Sequence, residues 1–492
     1  MTSRARRTGQ GRLIGWIGWA GLDAIGRLAL LTGSTIVFSR LLAPRDFGVT
    51  ALVLTLVAVA AVFVGSPFEE ALAQRRGVRM AHLRAALGAS WAIGAVILAA
   101  SIPLGHALAE HYGEPEFRSL LPVAMASVFF SGHSDIVTAL ARRLRRFNDV
   151  AYATLVGHVV GVGVALAIGL AGYGLWALIA QRLMVVVARA VILQWRIGFL
   201  VTPSWAPALV REFGRFAGFS FMARLAENLT YLAFNNLVQI FYGVAALGQV
   251  NMAMRLIEPI RGAITATGHN LAFSYFARAG DAARRRARAV SVVSQSAFVT
   301  APVFVGLAAV APVLLPVVAG PGWDEAVGIA VCLSLASALA APAGLVYTSF
   351  SAGGRPEYSL ISLVLGFVAI VVTLASATAL GPISVGLSRV AGDLARVGVA
   401  VLASPEGLDW SRRSRLAALW PAWTCAAAMG AVVTLWTPAL PSPAPLTHLA
   451  QMIIVGVVVY GALLALSARP VFDVISGHLG QIGAPLKRRL AR

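Results

Sequence analysis

Residues 47–66 read FGVTALVLTLVAVAAVFVGS, twenty residues without a charged side chain. As a helix that stretch rises about 30 Å, the thickness of a bilayer's hydrocarbon core. It reads as a membrane span, and similar runs recur along the whole chain. They lie near 16–42, 85–105, 119–139, 150–171, 173–193, 216–240, 244–268, 289–318, 326–350, 359–380, 382–404, 417–437 and 446–467. The expected fold is therefore an all-α polytopic membrane protein of about fourteen transmembrane helices. Ala43-Pro44-Arg45-Asp46, Gly172 and Gly381-Pro382 are tight connections that join neighbouring helices as hairpins.

Composition agrees. Of 492 residues 58% are hydrophobic and 12% charged, with mean hydropathy +0.79, whereas soluble domains carry about 25% charged residues. No soluble domain is expected. Arg4-Ala5-Arg6-Arg7 before an apolar run has the look of a signal peptide. The run from Ile14 continues to Leu42 without a cleavage site, so it reads as an uncleaved first span. Cys332 and Cys425 both fall inside spans and imply neither a disulfide framework nor a metal site.

The net charge of +20 is placed, not spread. With this span map, 29 of the 40 Lys and Arg residues fall on one side, nine lie within spans, and only Arg45 and Arg118 occupy the opposite loops. Basic residues flank the cytoplasmic side, so both termini are expected in the cytoplasm. The charge is not the footprint of a nucleic-acid partner. The tail 468–492, with Val471, Phe472, Ile475, Leu479, Ile482 and Leu486 beside Lys487, Arg488 and Arg489, is expected to lie on the anionic inner leaflet.

The two halves match. Arg27-Leu28-Ala29 of span one corresponds to Arg224-Leu225-Ala226 of span seven, and Gly48 to Gly248. Gly174, Arg182, Ala188 and Arg189 of span six correspond to Gly381, Arg389, Ala395 and Arg396 of span twelve. Parallel repeats of this kind are a transporter signature. They divide the chain into an N-terminal lobe (1–193, spans one to six), a cytoplasmic linker (194–215), a C-terminal lobe (216–404, spans seven to twelve), an appended pair of helices (405–467) and the basic tail (468–492).

An arginine at the bilayer centre costs about 2.5–3.5 kcal/mol on insertion scales, so nine facing lipid would cost on the order of 20 kcal/mol. They must snorkel, pair or line a wet cavity. Arg189 and Arg396, near cytoplasmic ends, are expected to snorkel. Arg182 is deeper, and either lines a cavity or pairs across helices. Polar residues concentrate in spans one, seven and eight: Arg27, then Arg224, Asn228, Tyr231, Asn235 and Asn236, then Asn251, Arg255, Glu258 and Arg261. Guanidinium groups suit phosphate, and Asn and Tyr suit hydroxyl-rich sugars. These ten residues are the candidate substrate site. The spacings that put Glu258 three residues from Arg255 and Arg261, and Asp393 between Arg389 and Arg396, serve mutual neutralisation equally well. Asp135 and His158 form either a proton relay or two satisfied structural groups. No P-loop, metal-ligand spacing or nucleophile constellation stands out, so neither an enzyme nor a cofactor is expected.

The first hairpin, Ser39-Arg40-Leu41-Leu42-Ala43-Pro44-Arg45-Asp46-Phe47-Gly48, resembles the signature of the Wzx-type oligosaccharide flippases. These are the polysaccharide transporter branch of the multidrug/oligosaccharidyl-lipid/polysaccharide (MOP) exporter superfamily. Ala73-Gln74-Arg75, Gly172-Tyr173-Gly174-Leu175-Trp176-Ala177-Leu178, Asn235-Asn236-Leu237 and Ala253-Met254-Arg255-Leu256 are similar to the family's patterns, and together the resemblance covers roughly residues 15–400. It implies two six-helix lobes around a central cavity, moving lipid-linked oligosaccharide from inner to outer leaflet. The partners implied are that substrate, the membrane lipids and polysaccharide polymerase and export machinery. Asn235 departs from the pattern, since relatives often have aspartate there. The alternatives are a cation-coupled drug exporter of the same fold and a membrane polymerase or ligase. Arginine in excess of acid speaks against the first, and short outer loops against the second.

Overall fold

The computed structural model describes residues 26–467, apart from 27–28, 66–67, 70–71, 73–76, 278–281, 353–354, 356, 404–410 and 437–444. Of 212–220, 223, 265–277 and 282–288 only the backbone is described. Arg27 and the tail 468–492 lie outside the described residues.

The helices are α1 (Ala29–Leu41), α2 (Pro44–Val64), α3 (Met80–Tyr112), α4 (Phe117–Arg143), α5 (Phe147–Leu170), α6 (Gly174–Ile197), α7 (Pro207–Ala277), α8 (Ala282–Ala319), α9 (Asp324–Ala352), α10 (Glu357–Ser376), α11 (Ile383–Leu402), α12 (Arg412–Trp436) and α13 (Pro445–Ser467). Among the described residues eleven helices are long and apolar enough to cross a membrane. α7 supplies two of the fourteen expected spans, because Gly243 breaks it with φ 83° and ψ 172°. That left-handed backbone is open to glycine at little cost. α11 is span twelve, polar on account of Arg389, Asp393 and Arg396, and α1 is the described part of span one.

Several helices outrun the apolar stretch that announced them. α3 begins at Met80, α6 continues to Ile197, and α7 begins at Pro207. Hydropathy marks only the turns immersed in hydrocarbon, while the helix continues wherever its polar turns find partners. Around Ile197 they do. Arg146 Nε bonds Asp149 at 2.6 Å, Arg196 reaches the same carboxylate at 3.4 Å, and the Arg196 guanidinium lies 4.3 Å from the Tyr152 ring centroid.

The chain forms two compact units, Met1–Met252 and Ala253–Arg492, divided within the second arm of α7. In the first, α4 packs on α2, α3 and α6, and α5 packs on α6. α5 buries Ala153, Gly157, Gly161, Ala165 and Gly169, one residue per turn. This small-residue stripe lets the α6 backbone approach closely, with Gly157 and Gly161 against Gln181, Val185 and Arg189. At the arginine-rich end a core of Phe68, Leu72, Leu87, Ile136, Leu193 and Val201 closes the unit.

In the second unit α9 packs on α8 and α11, α10 on α11, and α12 and α13 on α8. α10 buries Ser362, Gly366, Ile370 and Leu374, and Gly366 meets Gly392 of α11. Spans five and eleven, equivalent in the repeat, thus each set a glycine against the backbone of the helix that follows. Trp423 Nε1 donates to the Ala338 carbonyl at 3.1 Å and the Tyr460 hydroxyl to that of Phe298 at 2.7 Å, pinning α12 to α9 and α13 to α8.

Candidate functional site

The polar residues of span seven form a line. Arg224, Asn228, Tyr231 and Asn235 are spaced four, three and four apart, which keeps them within about 60° on one face of the first arm of α7. Exposure falls along that line. Arg224 is exposed, Asn228 and Tyr231 are half-buried, and Asn235 is 0% exposed. Asn235 Nδ2 donates to Thr55 Oγ1 of α2 at 2.7 Å, and its neighbour Asn236 accepts a hydrogen bond from the Tyr112 hydroxyl of α3. So the stripe is open at its arginine end and sealed against α2 and α3 at the other.

The seal is completed by glycines. Gly48 of α2 backs onto the Val244 carbonyl, and Gly248 onto the Pro44 carbonyl. A Cβ on either would collide with that backbone. The two hairpin glycines paired in the sequence repeat therefore meet the opposite hairpin reciprocally. Beside them Arg45, one of two arginines assigned to the basic-poor loops, binds Glu114 and, at 3.1 Å, Glu116.

Three asparagines share one arrangement. Asn228, Asn236 and Asn251 each donate Nδ2 to the carbonyl four residues earlier, those of Arg224, Leu232 and Leu247, at 2.8, 2.8 and 3.0 Å. The Nδ2 donor is thereby satisfied within the helix, and the side-chain oxygen remains as an acceptor. In Asn236 that acceptor is used by Tyr112.

In the second unit, Arg255 is half-buried on the second arm of α7. Glu258 and Arg261 bind each other through two hydrogen bonds of 3.0 and 2.6 Å. The pair also lies near enough to Asp393 of α11 for its charges to be felt there. Among the described residues no group of three His, Cys, Asp or Glu is placed to hold a metal, and Cys332 and Cys425 are buried thiols.

Two expectations change. Arg189 is paired: it lies 3.7 Å from Asp135 of α4 and donates to Thr138 Oγ1 at 2.7 Å. Arg396 is held 3.6 Å from Asp393, which is 4% exposed. The Asp135 partner belongs to another helix, so linear spacing could not show it. It also makes Asp135 half of an ion pair rather than a lone relay carboxylate. Sequence reasoning missed Arg415, 0% exposed with its guanidinium 5.7 Å from the Phe350 ring centroid; nothing in the local spacing distinguishes it from the loop arginines beside it.

The Asp135–Arg189 pair gives a stability prediction. Asp135→Leu strands a partly buried guanidinium and is expected to cost about 3 kcal/mol, while Asp135→Leu with Arg189→Leu recovers most of that loss. Melting of the purified variants checks it. Equal melting of wild type and Asp135→Leu would show that the pair contributes nothing.

Comparison with known proteins agrees with this anatomy. Residues 37–328 match the family model described as polysaccharide biosynthesis protein. The succinoglycan biosynthesis transport protein ExoT of Rhizobium meliloti (strain 1021) is 23% identical over 333 residues, and the match spans 66% of each chain, about two thirds of that relative's length. Among solved structures, the lipid II flippase MurJ in an inward closed conformation superposes with a TM-score of 0.75 at 13% identity, covering 93% of this chain and 99% of MurJ. An inward-facing multidrug resistance MATE family transporter of the MOP superfamily gives 0.57 at 16% identity, covering 80% and 95%. With more than half its length matched, the chain belongs to the polysaccharide biosynthesis protein family, and it has the multi-pass helical fold of these solved MurJ and MATE structures.

Proposed function

We propose that the chain flips undecaprenyl-diphosphate-linked oligosaccharide repeat units from the inner to the outer leaflet of the bacterial cytoplasmic membrane, for exopolysaccharide, capsule or O-antigen synthesis. The observation that carries this reading is the α7 stripe, the exposed guanidinium of Arg224 followed by the half-buried amide of Asn228 and phenol of Tyr231 on one helix face. Arginine forks bind diphosphate in paired hydrogen bonds, and the amide oxygens accept from sugar hydroxyls. Arg27, Arg224 and Arg255 hold the diphosphate, Asn228, Tyr231 and Asn251 meet the sugar, and the lipid tail remains in the bilayer. Both termini lie in the cytoplasm, which makes the Gly48–Val244 seal the outer closure. Alternating access opens that seal while the arginine end closes. The names of ExoT, a succinoglycan biosynthesis transport protein, and of MurJ, a lipid II flippase, support the same reading.

The likeness to a MATE transporter favours one second reading, a cation-coupled drug exporter. Reconstituted vesicles separate the two. The wild-type chain is expected to carry fluorescent undecaprenyl-diphosphate oligosaccharide to the opposite leaflet and to leave the distribution of a cationic dye such as ethidium unchanged. Dye efflux without lipid movement would assign it to the exporters.

A further inference from the structure

α6 has two exposed faces of opposite chemistry. At about 100° per residue, Arg182 and Arg189 point within about 20° of each other, while Val191 lies about 180° from Arg182 and Trp195 about 140°. Val191 is 61% and Trp195 78% exposed, apolar and aromatic side chains suited to lipid. Arg182 is exposed as well, but on the contrary face, toward Asp135 and Thr138 of α4. Next to it Gln181 is buried and donates to Ser34 Oγ of α1 at 3.4 Å. The space that Arg182 reaches is therefore on the protein side of α6, not the lipid side.

Its depth sharpens the point. Arg182 is eight residues from Gly174, about 12 Å along the helix from that end and about 22 Å from Ile197. A guanidinium so deep is expensive in hydrocarbon and calls for water, a carboxylate or an anionic ligand. Asp135 is the nearby carboxylate, and Arg189 has taken it at 3.7 Å, with Thr138 as a second partner. Arg189 Nε has no hydrogen-bond partner, and Arg182 makes neither a hydrogen bond nor an ion pair among the described residues. It is nonetheless close enough to Asp135 and Arg189 to feel both charges. Two guanidinium groups thus lie around one carboxylate, leaving a surplus positive charge on the face of α6 turned toward α4. The second unit has the same stoichiometry at the equivalent helix: Arg389 and Arg396 around Asp393, with Arg396 at 3.6 Å. There the acid comes from α11 itself, so the halves share the surplus charge and not the origin of the acid.

We propose that Arg182, with Arg189 beside it, forms a binding site on the first unit for the diphosphate group of the transported lipid, separate from the arginines of spans one, seven and eight. The proposal rests on the flippase reading for the identity of its ligand. Its basis is a fork of donors at mid-span, accessible, and without a protein partner to use them.

The test uses the full-length protein with inorganic pyrophosphate and a short-chain polyprenyl diphosphate as probes, followed by calorimetric titration and by the ligand-induced rise in melting temperature. Arg182→Gln is expected to weaken both probes at least about tenfold, with Arg182→Lys intermediate because an ammonium keeps the charge and loses the fork. Without ligand, Arg182→Gln is expected to melt at or above wild type, since no protein contact is lost. Unchanged affinity in Arg182→Gln, or no pyrophosphate binding by wild type, overturns the site. A lower ligand-free melting temperature with unchanged affinity also overturns it, as the mark of a structural arginine. Binding of inorganic pyrophosphate without the polyprenyl diphosphate overturns the assignment to the transported lipid. The flipping assay separates this from the functional reading. Wild-type flipping with full probe binding by Arg182→Gln removes the site alone. Tenfold-weaker binding by Arg182→Gln, in a protein whose wild type flips nothing, leaves an anion site and removes the flippase.

Discussion

Gly48→Leu is expected to abolish the closure between α2 and α7 and with it transport. The added side chain meets the Val244 carbonyl, a backbone group that cannot swing aside as a side chain does. Overpacking of this kind costs about 1–3 kcal/mol or more, which lowers the closed population about tenfold to a hundredfold. Gly248→Leu is expected to behave alike, because its own obstacle is the Pro44 carbonyl of the opposite hairpin. The readout is access. Leu52 is 1% exposed and shares the Gly48 face of α2, so a cysteine introduced there is expected to resist an impermeant maleimide added from outside. In the Gly48→Leu background it is expected to label readily while lipid flipping falls. Equal protection and equal flipping in both backgrounds would mean that the glycine contact closes nothing.

The reciprocal glycine contact also shows what the sequence could and could not disclose. Gly48 and Gly248 were legible as equivalents, because the repeat places both just past a hairpin. That each would rest on the other hairpin's backbone was not, since periodicity describes one helix at a time. The same limit applies to the polar partners. The Arg224–Asn235 stripe follows from helical spacing and Glu258–Arg261 from a separation of three. Asn235 and Thr55 are 180 residues apart, Asn236 and Tyr112 124, and no local pattern joins them. Arg182 and Arg189 illustrate the middle ground. Their shared face was computable, but which of the two Asp135 satisfies depends on how α4 packs on α6. The helix ends beyond the apolar runs, at Met80, Ile197 and Pro207, were hidden because hydropathy sees lipid contact rather than hydrogen bonding.

The arginines of spans one, seven and eight are proposed as ligands rather than as topology signals. On the proposed function, neutralising Arg27, Arg224 and Arg255 together would remove three charge-assisted diphosphate contacts, each stronger than a neutral hydrogen bond and contributing about 1.5–3 kcal/mol. Even with strong non-additivity, flipping is expected to fall by at least about a hundredfold. The direct measurement is the initial rate at which labelled undecaprenyl-diphosphate oligosaccharide becomes accessible on the far leaflet of vesicles holding equal amounts of folded wild-type protein or the Arg27→Gln, Arg224→Gln, Arg255→Gln variant. A wild-type rate well above protein-free vesicles and a variant rate near them is the predicted result. A variant that flips at the wild-type rate would contradict the assignment of these arginines to the diphosphate.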